Sequence, residues 1–160
     1  MAFTFSITET MRGVHHFVDP ARGPAVDRPF HFRIDWGAPL ASSLNPLADG
    51  FMRYQAEGEL FADGLTPSAV TCRGTLGIDY FAQHTITYAL DFEAGGERYH
   101  YEGTKTDVRL TRPLQLIKTH TTCYGTLRDA SGTIISRSVL HFPPDTTLPF
   151  LRSFRLRWRR

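Results

Sequence analysis

The stretch from Gln83 to Thr106 reads QHTITYALDFEAGGERYHYEGTKT and carries the clearest secondary-structure pattern in the chain. Apolar side chains alternate with polar ones on both sides of the pair Gly95-Gly96. A period of two is typical of a strand with one buried face, and Gly-Gly between two such runs is typical of a primed hairpin turn. The stretch therefore predicts a long antiparallel hairpin.

Six other segments with strand-like patterns are residues 3–11, 30–36, 51–61, 70–80, 114–127 and 133–142. Residues 13–29 are rich in Gly and Pro and are predicted to form a loop. Short helices are predicted within 38–48, where a turn is the alternative, and over 146–154, capped by Asp145 or Thr146. About eight strands separated by turns, several with an inward glycine, predict an all-β fold. We expect a single antiparallel up-and-down β-barrel of calycin type with a short C-terminal helix, in preference to a sandwich.

Length and charge indicate one domain with a basic end. The 160 residues suit one barrel over 1–150, followed by a tail over 151–160 that holds five arginines and no acid. Without those arginines the chain has 13 basic and 16 acidic residues. The tail is interpreted as a solvated segment, with contact to RNA, membrane or an acidic partner as the alternative. The rest of the chain shows no basic stripe, so nucleic-acid binding is not expected.

The two cysteines, Cys72 and Cys123, lie far apart in predicted strands without metal-ligand spacing, so buried free thiols are expected. The first residues show no basic region followed by an apolar run of signal length. No run approaches the eighteen apolar residues of a membrane helix. These observations predict a cytoplasmic protein without a membrane span.

Several short motifs follow one another in order: FSITETMRG (5–13), TYALDF (87–92), YEGTK (101–105), TTCYG (121–125), SVLHF (138–142) and FLRSF (150–154). In this order they resemble the accessory β-rich region of large bacterial GMC-type oxidoreductases of the cholesterol oxidase kind. Cys123 stands where that region more often has leucine. The flavin part is absent, because the chain has no GxGxxG motif. The resemblance implies a compact β domain associated with lipid-like or polycyclic substrates.

Glu9 and His84 are the candidate catalytic residues. Glu9 alternates with Ile7 and Met11, so a barrel interior would place its carboxylate among apolar side chains, where it would serve as an acid or base. The alternative is a structural ion pair, with Lys105 as partner. His84 shares its apolar face with Ile86 and would shuttle a proton, or else be a satisfied core residue.

Candidate ligand-binding residues are those whose side chains combine a flat or long apolar part with a polar tip: Tyr54, Tyr88, Tyr101, Lys105, His120 and Tyr124. Ordinary packing is the alternative for each tyrosine. His15, His16 and His31 lack the spacing of known metal sites, so no metal is expected. No phosphate loop or nucleophile elbow is present, and no cofactor is expected.

These observations predict a small barrel that binds an apolar or polycyclic molecule, such as a steroid, terpenoid or polyketide. A cofactor-free isomerase or cyclase would work in the same cavity by holding a flexible substrate in a reactive shape, assisted by one acid–base group. Whether the protein is an enzyme stays open at this point. The alternatives are a non-catalytic carrier and a docking subunit for a separate flavin oxidoreductase, and a homodimer is a further arrangement to test.

Overall fold

A computed structural model of the protein describes residues 2–44, 51–79, 81–106, 108 and 122–159. Eight strands build the wall of the fold: β1 (Ala2–Phe17), β2 (Arg28–Pro39), β3 (Arg53–Ala62), β4 (Val70–Asp79), β5 (Thr85–Ala94), β6 (Glu97–Lys105), β7 (Thr122–Asp129) and β8 (Ile134–His141). The other elements are helix α1 (Leu40–Leu44), a 3₁₀ turn (Pro144–Thr146), helix α2 (Thr147–Ser153) and strand β9 (Arg155–Arg159).

The eight strands form a closed antiparallel barrel. Each pairs with the next along the chain, and β1 pairs with both β2 and β8. Following paired residues once around the wall from His16 leads back to β1 at Ser6, ten residues earlier. This stagger is the shear that tilts the strands of a barrel. The prediction of a closed barrel with a short C-terminal helix is confirmed.

The hairpin predicted from the sequence is formed by β5 and β6. Along β5 the side chains of Ile86, Tyr88 and Leu90 are buried, while those of Thr87 and Asp91 are exposed. The turn contains Gly95 and Gly96 at φ 60° and 79°, which is the left-handed backbone that a primed turn requires and that glycine adopts without strain.

Aromatic side chains fill the middle of the barrel. The ring centroids of Phe30 and Tyr101 are 5.1 Å apart, and those of Phe32 and Tyr88 are 5.4 Å apart. Tyr101 occupies space that Gly103 leaves open, since a Cβ at Gly103 would lie 2.5 Å from the Tyr101 hydroxyl. The inward glycine therefore lets a large ring lie flat against the wall.

Strand β1 is longer than the sequence pattern indicated, and the prediction of a loop from residue 13 is wrong. The strand continues to Phe17 because it is paired on both edges, to β2 and to β8. Gly13 is a point of close approach, where a Cβ would lie 2.1 Å from the carbonyl oxygen of Val139. This extension moves His15 from a predicted loop into the wall of the barrel.

The loop between β1 and β2 packs over one end of the barrel, which we call the closed end. Arg22 in this loop donates to the Glu97 carboxylate at 3.0 Å and to the Tyr99 hydroxyl at 3.2 Å. The loop begins with a backbone bond of 3.0 Å from Val18 N to Ile135 O. These bonds tie the loop to the β5–β6 hairpin and to β8.

Part of the predicted basic tail over 151–160 forms a regular strand, which the sequence interpretation did not expect. In β9, Trp158 pairs with Phe3 and Leu156 pairs with Phe5 on β1. Strand β8 pairs with β1 only from Arg12 onward, which leaves the first residues of β1 an open edge that β9 covers. The segment lies outside the closed barrel, and most of its side chains are exposed.

The seventh strand is observed over Thr122–Asp129, and the earlier part of its predicted range, 114–121, lies outside the described residues. The predicted strand over 133–142 is present as Ile134–His141. It is the last of the strands expected from the sequence, but β9 follows it in the structure. The predicted helix over 146–154 is present as α2, preceded by the 3₁₀ turn.

Candidate functional site

A buried ion pair crosses the interior of the barrel. The Lys105 Nζ and Glu9 Oε1 atoms are 2.7 Å apart, and the Lys105 and Glu9 side chains are only 3% and 7% exposed. The Tyr88 hydroxyl donates to the same oxygen of Glu9 at 2.8 Å. The Lys105 ammonium also lies 5.2 Å from the centroid of the Tyr88 ring. The structure thus contains the ion pair that sequence reasoning gave as the alternative role of Glu9.

Three strands bring these side chains together. Glu9 points inward from β1, Tyr88 points inward from β5, and Lys105 is the last residue of β6. Tyr88 faces Gly103 across the β5–β6 ladder, and that glycine has no side chain to compete for the interior. The three residues therefore meet through the barrel, although 96 positions separate Glu9 from Lys105 in the sequence.

The electrostatics of the cluster keep Tyr88 protonated. Burial raises the pKa of Tyr88 well above its ordinary value of 10.0, and the neighbouring negative charge of Glu9 raises the pKa further. The neutral phenol is then a permanent hydrogen-bond donor to the carboxylate. Both bonds to Glu9 end on Oε1, and Oε2 accepts no hydrogen bond from any described residue. Oε2 is therefore the oxygen of Glu9 whose acceptor capacity the described residues leave unused.

His84 does not complete this cluster as the sequence predicted. It precedes β5 in left-handed backbone with φ 54°, and its carbonyl oxygen accepts a 2.8 Å bond from Val108 N. Its half-buried side chain is not bonded to Glu9, whose partners are Tyr88 and Lys105. Among the described residues, the hydrogen-bond partners of the Glu9 side chain are therefore Lys105 and Tyr88.

The other predicted ligand-binding residues lie in different surroundings. Tyr101 is fully buried, and its hydroxyl lies 3.6 Å from Cys123 Sγ. Tyr124 is 60% exposed and points outward from β7, so it does not line the interior; its neighbour Cys123 takes the inward position. Tyr54 is buried at one end of the barrel, and His120 lies outside the described residues.

Aromatic side chains cluster at the end of the barrel opposite the closed end. The ring of Phe5 contacts those of Tyr54, Trp36 and Phe154 at centroid distances of 5.5, 6.1 and 6.1 Å. A separate edge-on contact of 4.2 Å joins Phe3 and Trp158, which are paired residues of β1 and β9. We call this set the aromatic mouth: Phe3, Phe5, Trp36, Tyr54, Phe154 and Trp158.

The aromatic mouth joins the core to an exposed surface. Tyr54 is buried and Trp36 half-buried, whereas Phe154 and Trp158 are 55% and 52% exposed. The indole nitrogen of Trp36 is buried and has no hydrogen-bond acceptor in the described part of the chain. An unpaired buried donor is uncommon in folded proteins, since it loses its hydrogen bond to water without replacement. The mouth therefore offers flat apolar surface together with one unsatisfied polar atom.

Sequence reasoning missed His15, which lies in the wall near the closed end and is fully buried. Its Nδ1 lies 2.7 Å from Ser136 Oγ, and its Nε2 lies 2.9 Å from the carbonyl oxygen of Asp63. Ser136 Oγ is also placed to donate to the His16 carbonyl oxygen at 2.7 Å. One hydroxyl proton cannot serve both His15 and His16, so the network is fully satisfied only when His15 carries two protons. Burial nevertheless lowers the pKa of His15 below 6.5.

Signals for His15 were present in the sequence but ambiguous. The residue continues the alternation of Glu9 and Met11, yet Gly13 interrupts it. The cysteines, by contrast, match expectation, since Cys72 and Cys123 are both buried free thiols. Burial raises the pKa of each thiol to about 11.

Comparisons with protein-family models, curated proteins and solved structures found no match to this chain. Among the described residues, no group of three or more His, Cys, Asp or Glu side chains is placed to hold a metal ion. Neither helix in the described ranges is long and apolar enough to cross a membrane.

Proposed function

We propose that the protein binds an apolar or polycyclic small molecule, of steroid, terpenoid or polyketide type, at the aromatic mouth. The observation that carries the proposal is the chain of ring contacts from buried Tyr54 through Phe5 to exposed Phe154. Small-molecule sites are mostly apolar and aromatic with a few placed polar groups, and the mouth of a barrel is a common position for them. The barrel supplies the rigid wall that holds these rings in place.

The chemistry of the mouth favours a flat ligand with a polar end. Aromatic side chains gain from stacked or edge-on contacts with another ring system. A carbonyl or hydroxyl on the ligand would give the Trp36 indole the acceptor that the described residues do not supply. A ligand of this kind would also remove Phe154 and Trp158 from water.

Intrinsic fluorescence tests the proposal directly, because both tryptophans of the chain, Trp36 and Trp158, belong to the mouth. The protein is titrated with a panel of sterols, polyenes and polyketides while its emission and melting temperature are recorded. A bound ligand should change the emission and raise the melting temperature. Trp158→Ala and Phe154→Ala should each weaken binding about tenfold, since each removes a contact of the size of one buried aromatic side chain.

The matched control is Tyr124→Ala, which removes an exposed aromatic side chain from the outer wall. It should leave the affinity unchanged. A panel without any response, or equal weakening by Tyr124→Ala and Trp158→Ala, would contradict the proposal. A panel without any response would favour the docking alternative, in which the aromatic mouth is the surface that contacts a flavin oxidoreductase. Titration with that flavoprotein would then test this alternative.

A second candidate function is cofactor-free isomerisation or cyclisation of the bound molecule. It is favoured by Glu9 Oε2, a carboxylate oxygen without a hydrogen-bond donor among the described residues. Glu9 would remove a proton from the substrate and return it at another carbon, and Lys105 would stabilise its charged form. The product then has the mass of the substrate.

Mass-matched products are sought by chromatography with wild type and with Glu9→Gln, at a temperature where both are folded and both still bind by fluorescence. Conversion by wild type alone supports catalysis at Glu9. Binding without conversion by wild type, or equal conversion by both proteins, would refute it and indicate a carrier.

A further inference from the structure

A groove on the outer wall collects three arginines. It lies between the outer face of β1 and β2 and helix α2, and it encloses about 280 Å³. Its polar lining comes from Thr8, Thr10, Arg33, Thr146, Arg152, Ser153 and Arg155. No acidic side chain lines it. The groove lies outside the barrel and does not belong to the interior site or the aromatic mouth.

The arginines of the groove belong to those without an ion pair among the described residues, as do Arg53, Arg73, Arg137 and Arg157 elsewhere. Arg12, Arg22, Arg28, Arg98 and Arg128 each form an ion pair with a carboxylate. Arg33, Arg152 and Arg155 form none with described residues. The larger groove on β4–β6 differs in its lining, because the carboxylates of Asp91 and Glu93 line it beside its arginines and Arg98 is bonded to Glu93 at 2.9 Å.

Three acids neighbour residues of the groove, and two of them are bonded to other side chains. Asp35 accepts a hydrogen bond from the Thr8 hydroxyl, and Asp145 pairs with Arg12 at 3.0 Å. Glu59 is the cross-strand neighbour of Arg33 on β3, but no ion pair joins them. The three arginines of the groove therefore have no ion pair with a described carboxylate, although Asp35 and Glu59 neighbour its residues.

The walls of the groove are held in position by the backbone. Ser153 Oγ accepts a 2.8 Å bond from Thr8 N and donates to Phe150 O at 2.7 Å, which fixes α2 against β1. Arg155 follows directly and pairs with Ser6. Thr10 and Arg33 are cross-strand neighbours on the barrel wall. Groups from two strands, one helix and β9 thus converge on one enclosed space.

We propose that this groove binds a phosphate group. A guanidinium matches phosphate geometry with two parallel hydrogen bonds, and a doubly charged tetrahedral anion has enough oxygens for several such groups. The Thr10 hydroxyl supplies a further donor. The phosphate would belong either to a soluble phosphate ester or to the headgroup of an anionic lipid, and the chemistry recognised is the same in both.

Two arms of one experiment separate these sources. Binding of inorganic phosphate is measured by calorimetry at constant ionic strength set with chloride. Binding to vesicles is measured by co-sedimentation, comparing phosphatidylcholine alone with phosphatidylcholine containing phosphatidic acid. We expect binding in at least one arm, weakened about tenfold by Arg33→Gln and by Arg152→Gln, since each removes a charge-assisted contact. Phosphate alone indicates a soluble ester, and acidic vesicles alone indicate a lipid headgroup.

The matched control is Arg137→Gln, which removes an exposed arginine that is unpaired among described residues, on the outer face of β8. It should change either affinity less than twofold. Absence of binding in both arms overturns the proposal. So does equal weakening by all three variants, because that result would show attraction by net charge alone.

Discussion

Replacing Glu9 by glutamine should cost the fold about 3–5 kcal/mol of unfolding free energy, the usual cost of removing one partner of a buried ion pair. The magnitude follows from burial, because the two side chains are 7% and 3% exposed and their charged atoms are 2.7 Å apart. Glutamine keeps the size and one carbonyl oxygen for the Tyr88 hydroxyl. The loss of unfolding free energy therefore measures the cost of leaving the Lys105 ammonium in the interior without a counter-charge.

The assay is urea unfolding followed by tryptophan emission, with the free energy extrapolated to zero urea. The exposed pair of Glu93 and Arg98 provides the control, because Glu93→Gln removes the same charge where water screens it. That control should cost less than about 1 kcal/mol. If Glu9→Gln costs no more than the control, the interior pair is not desolvated and the reasoning fails.

A triple variant completes the test. Glu9→Leu with Lys105→Met and Tyr88→Phe removes both charges and the hydroxyl that would otherwise lose its acceptor. Replacement of a buried pair by apolar residues of similar volume is often neutral or stabilising. We expect the triple variant to recover most of the stability that Glu9→Gln loses. A triple variant less stable than Glu9→Gln would show that packing, and not the charge, governs the position.

Three further predictions concern other parts of the fold. Burial lowers the pKa of His15 below 6.5, so on acidification the unfolded chain binds a proton at this histidine before the folded chain does. The contribution of His15 to stability is therefore complete above pH 6.5 and is lost as the pH falls through the folded-state pKa. The melting temperature of wild type should fall more steeply from pH 7.5 to 5 than that of His15→Gln, and parallel curves would contradict this. Cys72 and Cys123, buried with pKa values of about 11, should react with a thiol reagent at pH 8 only after unfolding; rapid reaction of either in the folded protein would refute their burial. Gly13→Ala should destabilise by about 1–3 kcal/mol, measured by urea unfolding, since the new Cβ would lie 2.1 Å from Val139 O; a neutral substitution would show that the strands separate freely there.

Patterns of period two predicted most of the barrel because one face of each strand is buried. The hairpin of β5 and β6 carried both the alternation and the Gly95-Gly96 turn, so its position could be derived residue by residue. The alternation put Glu9 on one face with Ile7 and Met11 without deciding whether that face points inward, and Lys105 was named as its partner in the alternative structural role. Local sequence is sufficient where burial and turn chemistry indicate the same structure.

The errors arose where long-range pairing decides the conformation. Gly13 resembles a strand end until β8 is known to pass within contact of it. Tyr124 and Cys123 lie on opposite faces of β7. The sequence around them has no alternation of apolar side chains that would identify which face is the inner one. The segment in which arginines alternate with Leu156 and Trp158 was interpreted from its charge alone. It forms a strand because it pairs with the free edge of β1. None of these outcomes is visible without the neighbouring strand.

The pairing of β1 with β8 has a kinetic consequence. Every other pair in the barrel wall joins strands that are consecutive in the chain, so its formation closes a far shorter loop than the seam does. The seam is different, since His15 and Ser136 are 121 positions apart. Contacts at such separation form slowly, because the loop entropy is lost before the contact energy is gained. We expect an open curled sheet with two unpaired edges to precede closure, and refolding at high concentration should lead to aggregation during this interval.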